Sequence, residues 1–482
     1  MKRREFLEVA GQTLLAGGAA LNLPDLAWSA SGQPQATRGT NSQRPPNILF
    51  ILSDDLGYGE LGCYGQDQIL TPHIDRLAAE GTRFTQCYAA STVCAPSRTG
   101  LLTGLHTGHT SIRGNKAMAL PANDYTVAQL LKSAGYATGV IGKWGLGAPG
   151  TSGDANKHGF DEFYGYTDHV AAHNAFPLFL WHNQEKVSLE GNKGGKQGQY
   201  SNDLFQQQAL DFITRHKAQP FFLYLNYTIP HANSTGRTIE APRIEPEYEN
   251  KPWPELEKRY ASTITRMDNY VDQIRQRLTA LGIADNTLII FTSDNGPHQE
   301  GGHKAPFFHS NRPLRGIKRD LYEGGIRVPM IASWPGHIKA GAVSDQVWAF
   351  WDFLPTAAAI AGKPAPANID GISMLPALLG KPQQNHDYLY WEFYERGFEQ
   401  AVRLGDWKAV RHGLHLPIEL YDLKADLGEK NNIAAQHPEV VAKVADILKA
   451  AHTDSPQFPI PADKSPASPL SGQKAKPNEP GA

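Results

Sequence analysis

Short apolar runs alternate with segments of helical periodicity from Asn47 onward. The run at 48–52 is apolar at every position, and similar runs occur at 137–141, 221–226, 288–292 and 330–333. Continuous apolar runs of this length are typical of strands covered on both faces, as in a parallel sheet between helices. The pattern predicts an α/β domain in which helices sandwich a mixed, mostly parallel sheet.

Helix signals fall between these runs. Thr71 and Pro72 form a cap followed by a first-position proline, and Thr126 caps a second helix that ends near Gly135. Longer amphipathic stretches at 201–216 and 255–281 predict two further helices.

The pattern changes near residue 380. Four short strand-like segments predict a small antiparallel sheet, and a helical pattern at 438–451 predicts a helix that covers it; the segments are 388–391, 400–404, 407–410 and 419–421. We therefore expect a large domain over 47–379 and a C-terminal α+β subdomain over 380–454. The segment 455–482 contains seven prolines and few large apolar side chains, which predicts a disordered tail.

The first thirty residues predict an export signal. Arg3 and Arg4 precede an apolar stretch at 9–23, an order that resembles a twin-arginine signal, and the stretch is short for a membrane span. A buried N-terminal helix is the alternative, which several glycines weaken. We expect recognition by the export machinery, a flexible linker at 31–46, and a mature protein that is periplasmic or secreted and has no stable membrane span.

Composition and charge narrow the classes of function. The 482 residues carry a formal net charge of −2 and no block of Lys or Arg, so the electrostatic footprint expected for binding nucleic acid is missing. Three cysteines are too few for a disulfide scaffold. Cys63 and Cys87 could pair, but two small buried thiols are the favoured interpretation.

Polar side chains follow four of the apolar runs at the point where each run ends. The first run leads into Asp54 and Asp55, and the later runs lead into Lys143, His231, Asp294 and Asn295. Ligands of open α/β sheets bind beyond the carboxyl ends of the strands, so we expect these groups to converge on one crevice.

The acidic members of this set offer only oxygen ligands. Carboxylate and amide oxygens are preferred by hard cations such as Ca²⁺ or Mg²⁺, whereas zinc favours His or Cys. Each Asp could instead cap a helix or begin a turn. The recurrence of Asp at two matching strand ends favours a metal site.

Cys94 lies at the start of a predicted helix. Pro96 suits the first position of a helix, and the N-terminus of a helix favours anions and activates a nucleophile. Arg98, one turn later, can reach back to a bound oxyanion. A buried structural thiol is the alternative interpretation of Cys94.

The segment from Cys94 to Gly104, CAPSRTGLLTG, resembles the signature of the sulfatase family. The resemblance runs from Pro46 to about Ala434 and includes the segments 142–144, 292–296 and 321–329. These motifs follow one another in the family's order.

The resemblance implies the alkaline-phosphatase-like α/β fold and a sulfuric ester hydrolase of the arylsulfatase type. It further implies that a formylglycine-generating maturation enzyme converts Cys94 to formylglycine (3-oxoalanine). One hydroxyl of the hydrated aldehyde would attack sulfur, and the other would then expel sulfate. One calcium ion would be held by the modified residue 94 together with Asp54, Asp55, Asp294 and Asn295.

Roles for four further residues follow from the resemblance. Arg98 would orient the nucleophile, Lys143 and Lys318 would hold sulfate oxygens, and His231 would protonate the leaving alcohol. Three other basic residues compete with Lys318, whose offset before the segment 322–325 favours it: Lys304, Arg315 and Arg319.

One position departs from the family pattern. Many sulfatases have a histidine two residues after the loop lysine, where this chain has Gly145. We hypothesise that His173, or less favourably His169, takes that place or binds the substrate ring.

Aromatic residues and histidines are concentrated in the segment 161–200. These side chains could stack on sugar rings, or they could form the segment's own small core. We expect a sulfated small molecule or saccharide as substrate, with the saccharide favoured. The alternatives are a phosphate or phosphonate monoesterase on the same fold, whose related phosphatases use a two-zinc His/Asp set absent here, and a calcium-bound saccharide-binding protein without activity.

Overall fold

A computed structural model describes residues 44–460. The larger sheet in this range contains β1 (Asn47–Asp54), β2 (Thr82–Tyr88), β3 (Ala137–Lys143), β4 (Glu162–Tyr166), β5 (Phe179–His182), β6 (Glu185–Ser188), β7 (Phe221–Pro230), β8 (Thr287–Ser293), β9 (Arg327–Ser333), β10 (Ala342–Ser344) and β11 (Trp348–Ala349). The smaller sheet contains β12 (Leu389–Phe393), β13 (Glu399–Leu404), β14 (Trp407–Arg411) and β15 (Glu419–Asp422).

The larger sheet is mixed, with the strand order β10-β2-β9-β8-β1-β7-β3-β4-β5-β6 and with β11 also paired to β2. Its centre consists of β8, β1, β7 and β3, which are adjacent and parallel. Every residue of these four strands is buried, which confirms the interpretation of the continuous apolar runs. Their carboxyl ends therefore lie side by side at one edge.

The helices within residues 44–460 are α1 (Pro72–Ala79), α2 (Cys94–Thr103), α3 (Val127–Ser133), α4 (Ser201–Arg215), α5 (Pro246–Glu249), α6 (Glu255–Ala280), α7 (Glu323–Ile326), α8 (Phe353–Ile360), α9 (Leu375–Leu378) and α10 (Pro438–Ala450). Thr126 caps α3 through its side chain, as predicted. Thr71 precedes α1 but does not cap it, because Asp268 of α6 accepts the N–H groups of His73 and Ile74 instead.

Helices cover both faces of the larger sheet. Ile48, Phe50 and Leu52 of β1 pack into one core with side chains of α2, α3 and α8, whereas Leu49 and Ile51 pack into the other with α1, α4 and α6. Alternation of successive side chains between two apolar layers is the arrangement that the sequence predicts. The fold class, an α/β sheet sandwiched by helices, is confirmed.

The smaller sheet is antiparallel in the order β12-β13-β14-β15, as predicted. Val444 and Leu448 of α10 cover one of its faces, while Trp391 and Phe393 of β12 join a core of the larger sheet. The prediction of disorder is wrong for 455–460, because Phe458 is buried and packs on Tyr394 at 5.6 Å between ring centroids. The rest of the predicted tail lies outside the described residues.

The segment 161–200 extends the sheet with β4, β5 and β6. Four of its aromatic side chains are buried in the cores and do not line a crevice: Phe163, Tyr164, Tyr166 and Phe176. These four residues therefore belong to the two main cores of the domain and not to a small core of the segment's own.

Cys63 and Cys87 are free thiols, Cys87 buried and Cys63 half-buried. The predicted export signal at 1–30 and most of the predicted linker lie outside the described residues. Between residues 44 and 460, no helix has both the length and the apolar character that crossing a bilayer requires.

Candidate active site

The residues predicted at four strand ends meet at the carboxyl edge of β8, β1, β7 and β3. Asp55 accepts a hydrogen bond from the Asn295 amide at 2.6 Å, and its own backbone N–H donates to Asp294 at 3.1 Å. Asp55 has a left-handed backbone with φ 66°, a conformation that costs a non-glycine residue about 1–2 kcal/mol. The hydrogen bonds to the two residues that follow β8 hold Asp55 in place, so the two acidic motifs form one unit.

Cys94 is the first residue of α2, directly beside these carboxylates. Its Sγ lies 3.4 Å from Asp54 Oδ1, and the residue is 1% exposed. Ligand atoms of Cys94 and of the carboxylates Asp54, Asp55 and Asp294 all lie within 4.8 Å of one another, so this group could hold a metal ion. The helix begins two residues earlier than Pro96 alone suggests, and Pro96 occupies its third position.

Each of the three carboxylates faces a buried cation. Lys143 Nζ lies 2.7 Å from Asp54, and Lys318 Nζ lies 2.8 Å from Asp55. The Arg98 guanidinium contacts Asp294 at 2.8 Å. Since three carboxylates and three cations share one buried space, their formal charges cancel. A divalent ion could enter such a site together with negative charge from a ligand.

Burial determines the protonation states of Cys94 and His231. Burial raises the pKa of the Cys94 thiol well above its ordinary value, and the neighbouring Asp54 carboxylate raises it further. The unmodified side chain is therefore a protonated thiol, which is a poor nucleophile. Burial also lowers the pKa of His231 well below its ordinary value, and the ammonium groups of Lys318 and Lys143 add to this effect. His231 is neutral in this arrangement.

Asn295 supports the interpretation of the cluster as a cation site. Its amide Nδ2 donates to Asp55 and to the Gly296 carbonyl, whereas its Oδ1 is buried and accepts no hydrogen bond. A buried acceptor without a partner is costly unless another group satisfies it. A hard cation between Asn295 and the carboxylates would do so.

His231 and His173 meet on the side of the site that faces β7. His231 Nδ1 bonds the Ala232 carbonyl at 2.6 Å, which turns Nε2 toward Lys318 Nζ at 2.9 Å and Asp55 at 3.2 Å. The ring of His173 stacks on that of His231 with 3.9 Å between centroids. His169 lies farther out, with its ring 6.5 Å from that of His173.

The described residues match the family model for sulfatases over 46–363, and 317–454 match the model described as N-sulphoglucosamine sulphohydrolase, C-terminal. The chain belongs to the sulfatase family. It is therefore a sulfuric ester hydrolase with the alkaline-phosphatase-like fold of sulfatases.

Individual sulfatases match most of the chain. An N-acetylgalactosamine-6-O-sulfatase of Bacteroides thetaiotaomicron is 33% identical, with 87% of this chain and 95% of that protein covered. An N-acetylgalactosamine-6-sulfatase of Rattus norvegicus is 36% identical, with 80% and 74% covered. The crystal structure of Ps i-CgsB in complex with k-i-k-neocarrahexaose is similar at a TM-score of 0.75 and 29% identity, with 87% of this chain and 95% of that chain covered.

Four basic residues were considered for holding a sulfate oxygen in this sulfatase. Among them, Lys318 contacts the carboxylate cluster, through Asp55. Lys304 is exposed, and Arg315 bonds Tyr421 and the Glu429 carbonyl away from the carboxylates. Arg319 points to Glu300 at 2.7 Å. The offset before the segment 322–325 thus identified the lysine that contacts Asp55.

Several polar residues around the sulfatase site were missed by sequence reasoning. Asn115 accepts the Ala95 N–H at 2.9 Å, and Ser97 donates to the Asp294 carbonyl at 2.6 Å. Glu300 lies 3.5 Å from Lys318 and 3.7 Å from His231 Nε2. Ser97 stands inside the signature, which could have drawn attention to it, whereas Asn115 and Glu300 lie in loops without a pattern.

Proposed function

We propose that this sulfatase hydrolyses sulfate monoesters of carbohydrates with a formylglycine made from Cys94 and one bound calcium ion. The observation that carries the proposal is the buried group of Cys94, Asp54, Asp55 and Asp294, whose ligand atoms lie within 4.8 Å of one another. A nucleophile position and a cation site thus share one small volume.

Asp54, Asp55, Asp294 and Asn295 would hold the calcium ion. All four offer oxygen atoms as metal ligands. The Oδ1 atom of Asn295 accepts no hydrogen bond within the protein and is therefore available to coordinate the ion. Bound there, the ion would lower the pKa of the nucleophile and take up negative charge from a sulfate oxygen.

Residue 94 fits a nucleophile made by maturation. The N-terminus of α2 places it beside the carboxylates, and Asn115 satisfies the N–H of the next residue. Formylglycine would supply a hydrated aldehyde with a hydroxyl of lower pKa than that of serine. Arg98 would orient it, since its guanidinium lies between Asp294 and the Lys143 carbonyl, 3.9 Å from Asp54.

Lys143 and Lys318 would bind the sulfate oxygens. Both ammonium groups are buried, and each contacts one member of the acidic pair: Lys143 contacts Asp54 and Lys318 contacts Asp55. A cation at the carboxylates would weaken these ion pairs and free the two ammonium groups for an anionic ligand. Because the ester sulfate is negative, electrostatic attraction would favour its binding between them.

His231 would give a proton to the leaving alcohol from Nε2. The Nδ1 bond to Ala232 fixes the ring so that Nε2 faces Lys318 and Asp55. The ring is neutral next to these ammonium groups, and a bound sulfate anion would raise its pKa by compensating their charge. Proton donation would therefore be coupled to the presence of substrate.

The carbohydrate part of the proposal is supported by the relatives. Two of them are named N-acetylgalactosamine-6-sulfatases, and the similar Ps i-CgsB was crystallised in complex with k-i-k-neocarrahexaose. The twin-arginine-like segment at 1–30 supports export to the periplasm or beyond, where sulfated polysaccharides are met.

The test is sulfate release by protein matured together with a formylglycine-generating enzyme and supplied with calcium. Substrates are 6-sulfated N-acetylgalactosamine, an aryl sulfate and an aryl phosphate. We expect both sulfates to be hydrolysed far faster than the phosphate. Faster hydrolysis of phosphate would support the monoesterase, and saccharide binding without any release would support the inactive binding protein; either result contradicts the proposal.

A further inference from the structure

Three charged side chains border the site where it meets solvent: Arg319, Glu300 and Glu395, here called the rim trio. The Arg319 guanidinium donates to Glu300 at 2.7 Å and to Glu395 at 3.1 Å. Side chains of the trio are 21–36% exposed, whereas the adjacent Lys318 side chain is 3% exposed. The trio therefore lies beside the group that would hold the sulfate, on its outer side.

The rim trio joins the two sheets. Glu395 stands in the loop between β12 and β13, so the smaller sheet supplies it. Its Oε1 accepts the backbone N–H of Asn115 at 3.3 Å, and the Asn115 side chain in turn accepts the N–H of Ala95. Glu395 is thus tied to the start of the Cys94 helix on one side and to Arg319 on the other.

The backbone of Arg319 is held in an unfavourable conformation. Its φ is 75°, in the left-handed region that favours glycine, and its N–H donates to the Thr92 carbonyl at 3.1 Å. Strained residues cluster at ligand sites because the surrounding structure is selected to hold a particular side chain there. At this position the Arg319 side chain is partly exposed to solvent, and two of its N–H groups donate to carboxylates.

The charge of the rim trio decides what it can bind. Two carboxylates and one guanidinium leave a net charge of −1. The Lys318 ammonium, 3.5 Å from Glu300, is balanced by Asp55 at 2.8 Å, and the neighbouring pair of Arg396 and Asp320, 2.7 Å apart, is neutral. A second sulfate or a carboxylate would be repelled here. Neutral hydroxyl groups can donate to Glu395 and Glu300 and accept from Arg319.

We propose that the rim trio binds the uncharged hydroxyl groups of the sugar ring that carries the reacting sulfate, and that it disfavours rings with a second anionic group on that side. This inference rests on the proposed function, because the sulfate held at Lys143 and Lys318 fixes where the ring lies. Glu395 and Arg319 are then specificity residues, one from each sheet.

The test compares Glu395→Gln with Arg396→Gln, which breaks the other ion pair between the same loops and serves as matched control. We measure kcat and KM for a 6-sulfated N-acetylhexosamine, the corresponding disulfated sugar and an aryl sulfate. In Glu395→Gln, the ratio of kcat/KM for the monosulfated sugar to that for aryl sulfate should fall about tenfold, mainly through KM. The preference for the monosulfated over the disulfated sugar should shrink by a similar factor. Arg396→Gln should keep both ratios.

Binding to protein produced without the maturation enzyme makes the test independent of turnover. Calorimetry with calcium and the monosulfated sugar should show about tenfold weaker binding to Glu395→Gln than to the wild type and to Arg396→Gln. Equal affinities, or an equal loss in Arg396→Gln, would overturn the inference. An absence of sulfate release from every ester together with the expected binding difference would instead overturn the proposed function and leave the rim trio as a saccharide site.

Discussion

At the scale of single residues, the site is a set of paired charges with one buried oxygen left over. Lys143, Lys318 and Arg98 each satisfy one carboxylate, while Asn295 Oδ1 has no hydrogen bond. Because this oxygen lies beside Asp55, a cation bound at the carboxylates would satisfy it.

Asn295→Ala should weaken calcium binding by about 10- to 100-fold, because the variant removes a proposed ligand and the hydrogen bond that orients Asp55. Calorimetric titration with calcium measures the loss. Asn192→Ala is the matched control, since it removes a buried amide that bonds Pro177 and Gln199 outside the site. Wild-type calcium affinity in Asn295→Ala would contradict the assignment of this residue as a ligand.

His173→Ala should lower kcat/KM for a sulfated saccharide by about tenfold, because its ring stacks on His231 at 3.9 Å and restricts the position of that ring. His169→Ala should have a smaller effect, since its ring contacts that of His173, at 6.5 Å between centroids, and not that of His231. Steady-state kinetics of both variants provide the comparison. Little change in His173→Ala would end the hypothesis that it substitutes for the histidine replaced by Gly145.

The proposed calcium ligands and the three buried cations of the site could be predicted from the sequence because they stand in contiguous motifs. Asp54, Cys94 and Asn295 each lie inside a recognisable segment, and the structure brings these segments together. The rim trio could not be predicted, since Arg319 and Glu395 are 76 positions apart and their contact depends on how the smaller sheet packs. The orientation of long charged side chains at a surface leaves no periodic pattern.

At the scale of elements, prediction succeeded where both faces of a strand are buried. The central strands are apolar at most positions. The bounds of β1, β3 and β8 differ from the predicted runs by at most two residues at each end, whereas β7 continues four residues beyond the predicted run. β2 was missed because its sequence, TRFTQCY, mixes polar and apolar residues and is only partly buried. β5 and β6 were missed because most of their residues are exposed or half-buried.

Gly142 shows how tightly the end of β3 packs before Lys143. Its φ is 104°, and a Cβ there would lie 1.8 Å from the Asn226 carbonyl oxygen. Gly142→Ala should lower the free energy of unfolding by about 2–4 kcal/mol and displace Lys143, through overpacking added to backbone strain. Chemical denaturation and turnover of an aryl sulfate measure the two effects.

Gly135→Ala separates the two causes in the Gly142 experiment. Gly135 also has positive φ, 86°, but a Cβ there meets nothing within 4 Å. Its variant should lose only about 1 kcal/mol, from the backbone conformation alone. Equal losses in the two variants would show that the contact with Asn226 is relieved without cost.

His412 makes the stability of the smaller sheet depend on pH. The Glu399 carboxylate, hydrogen-bonded at 3.1 Å, and the Glu419 carboxylate at 3.9 Å raise its pKa from 6.5 to about 9. Because the folded pKa lies above the unfolded value, this stabilisation is complete below about pH 6.5 and is lost as the pH rises to about 9. Between these pH values the melting temperature should fall more in the wild type than in His412→Gln, by about 2 °C. Identical falls would contradict the ion pairs.

At the scale of the whole molecule, the two sheets are packed against each other through a shared core and buried ion pairs. Glu323, before β9, is buried with Lys408 of β14 at 2.9 Å and with Arg327 at 3.2 Å, and Trp391 packs into the core of the larger sheet. The pair of Glu323 and Lys408 thus links the larger sheet to the smaller one. The sequence predicted both sheets, but their contact depends on long-range pairs that no local pattern reveals.

The central claim is that a sulfatase nucleophile is made at residue 94, and mass spectrometry of the tryptic peptide 84–98 tests it most directly. Cys87 lies on the same peptide and provides an internal thiol control. In active protein that was alkylated before digestion, we expect one alkylated thiol, at Cys87, and an aldehyde at residue 94, in a fraction that rises with activity. Two alkylated thiols in fully active protein would contradict the account.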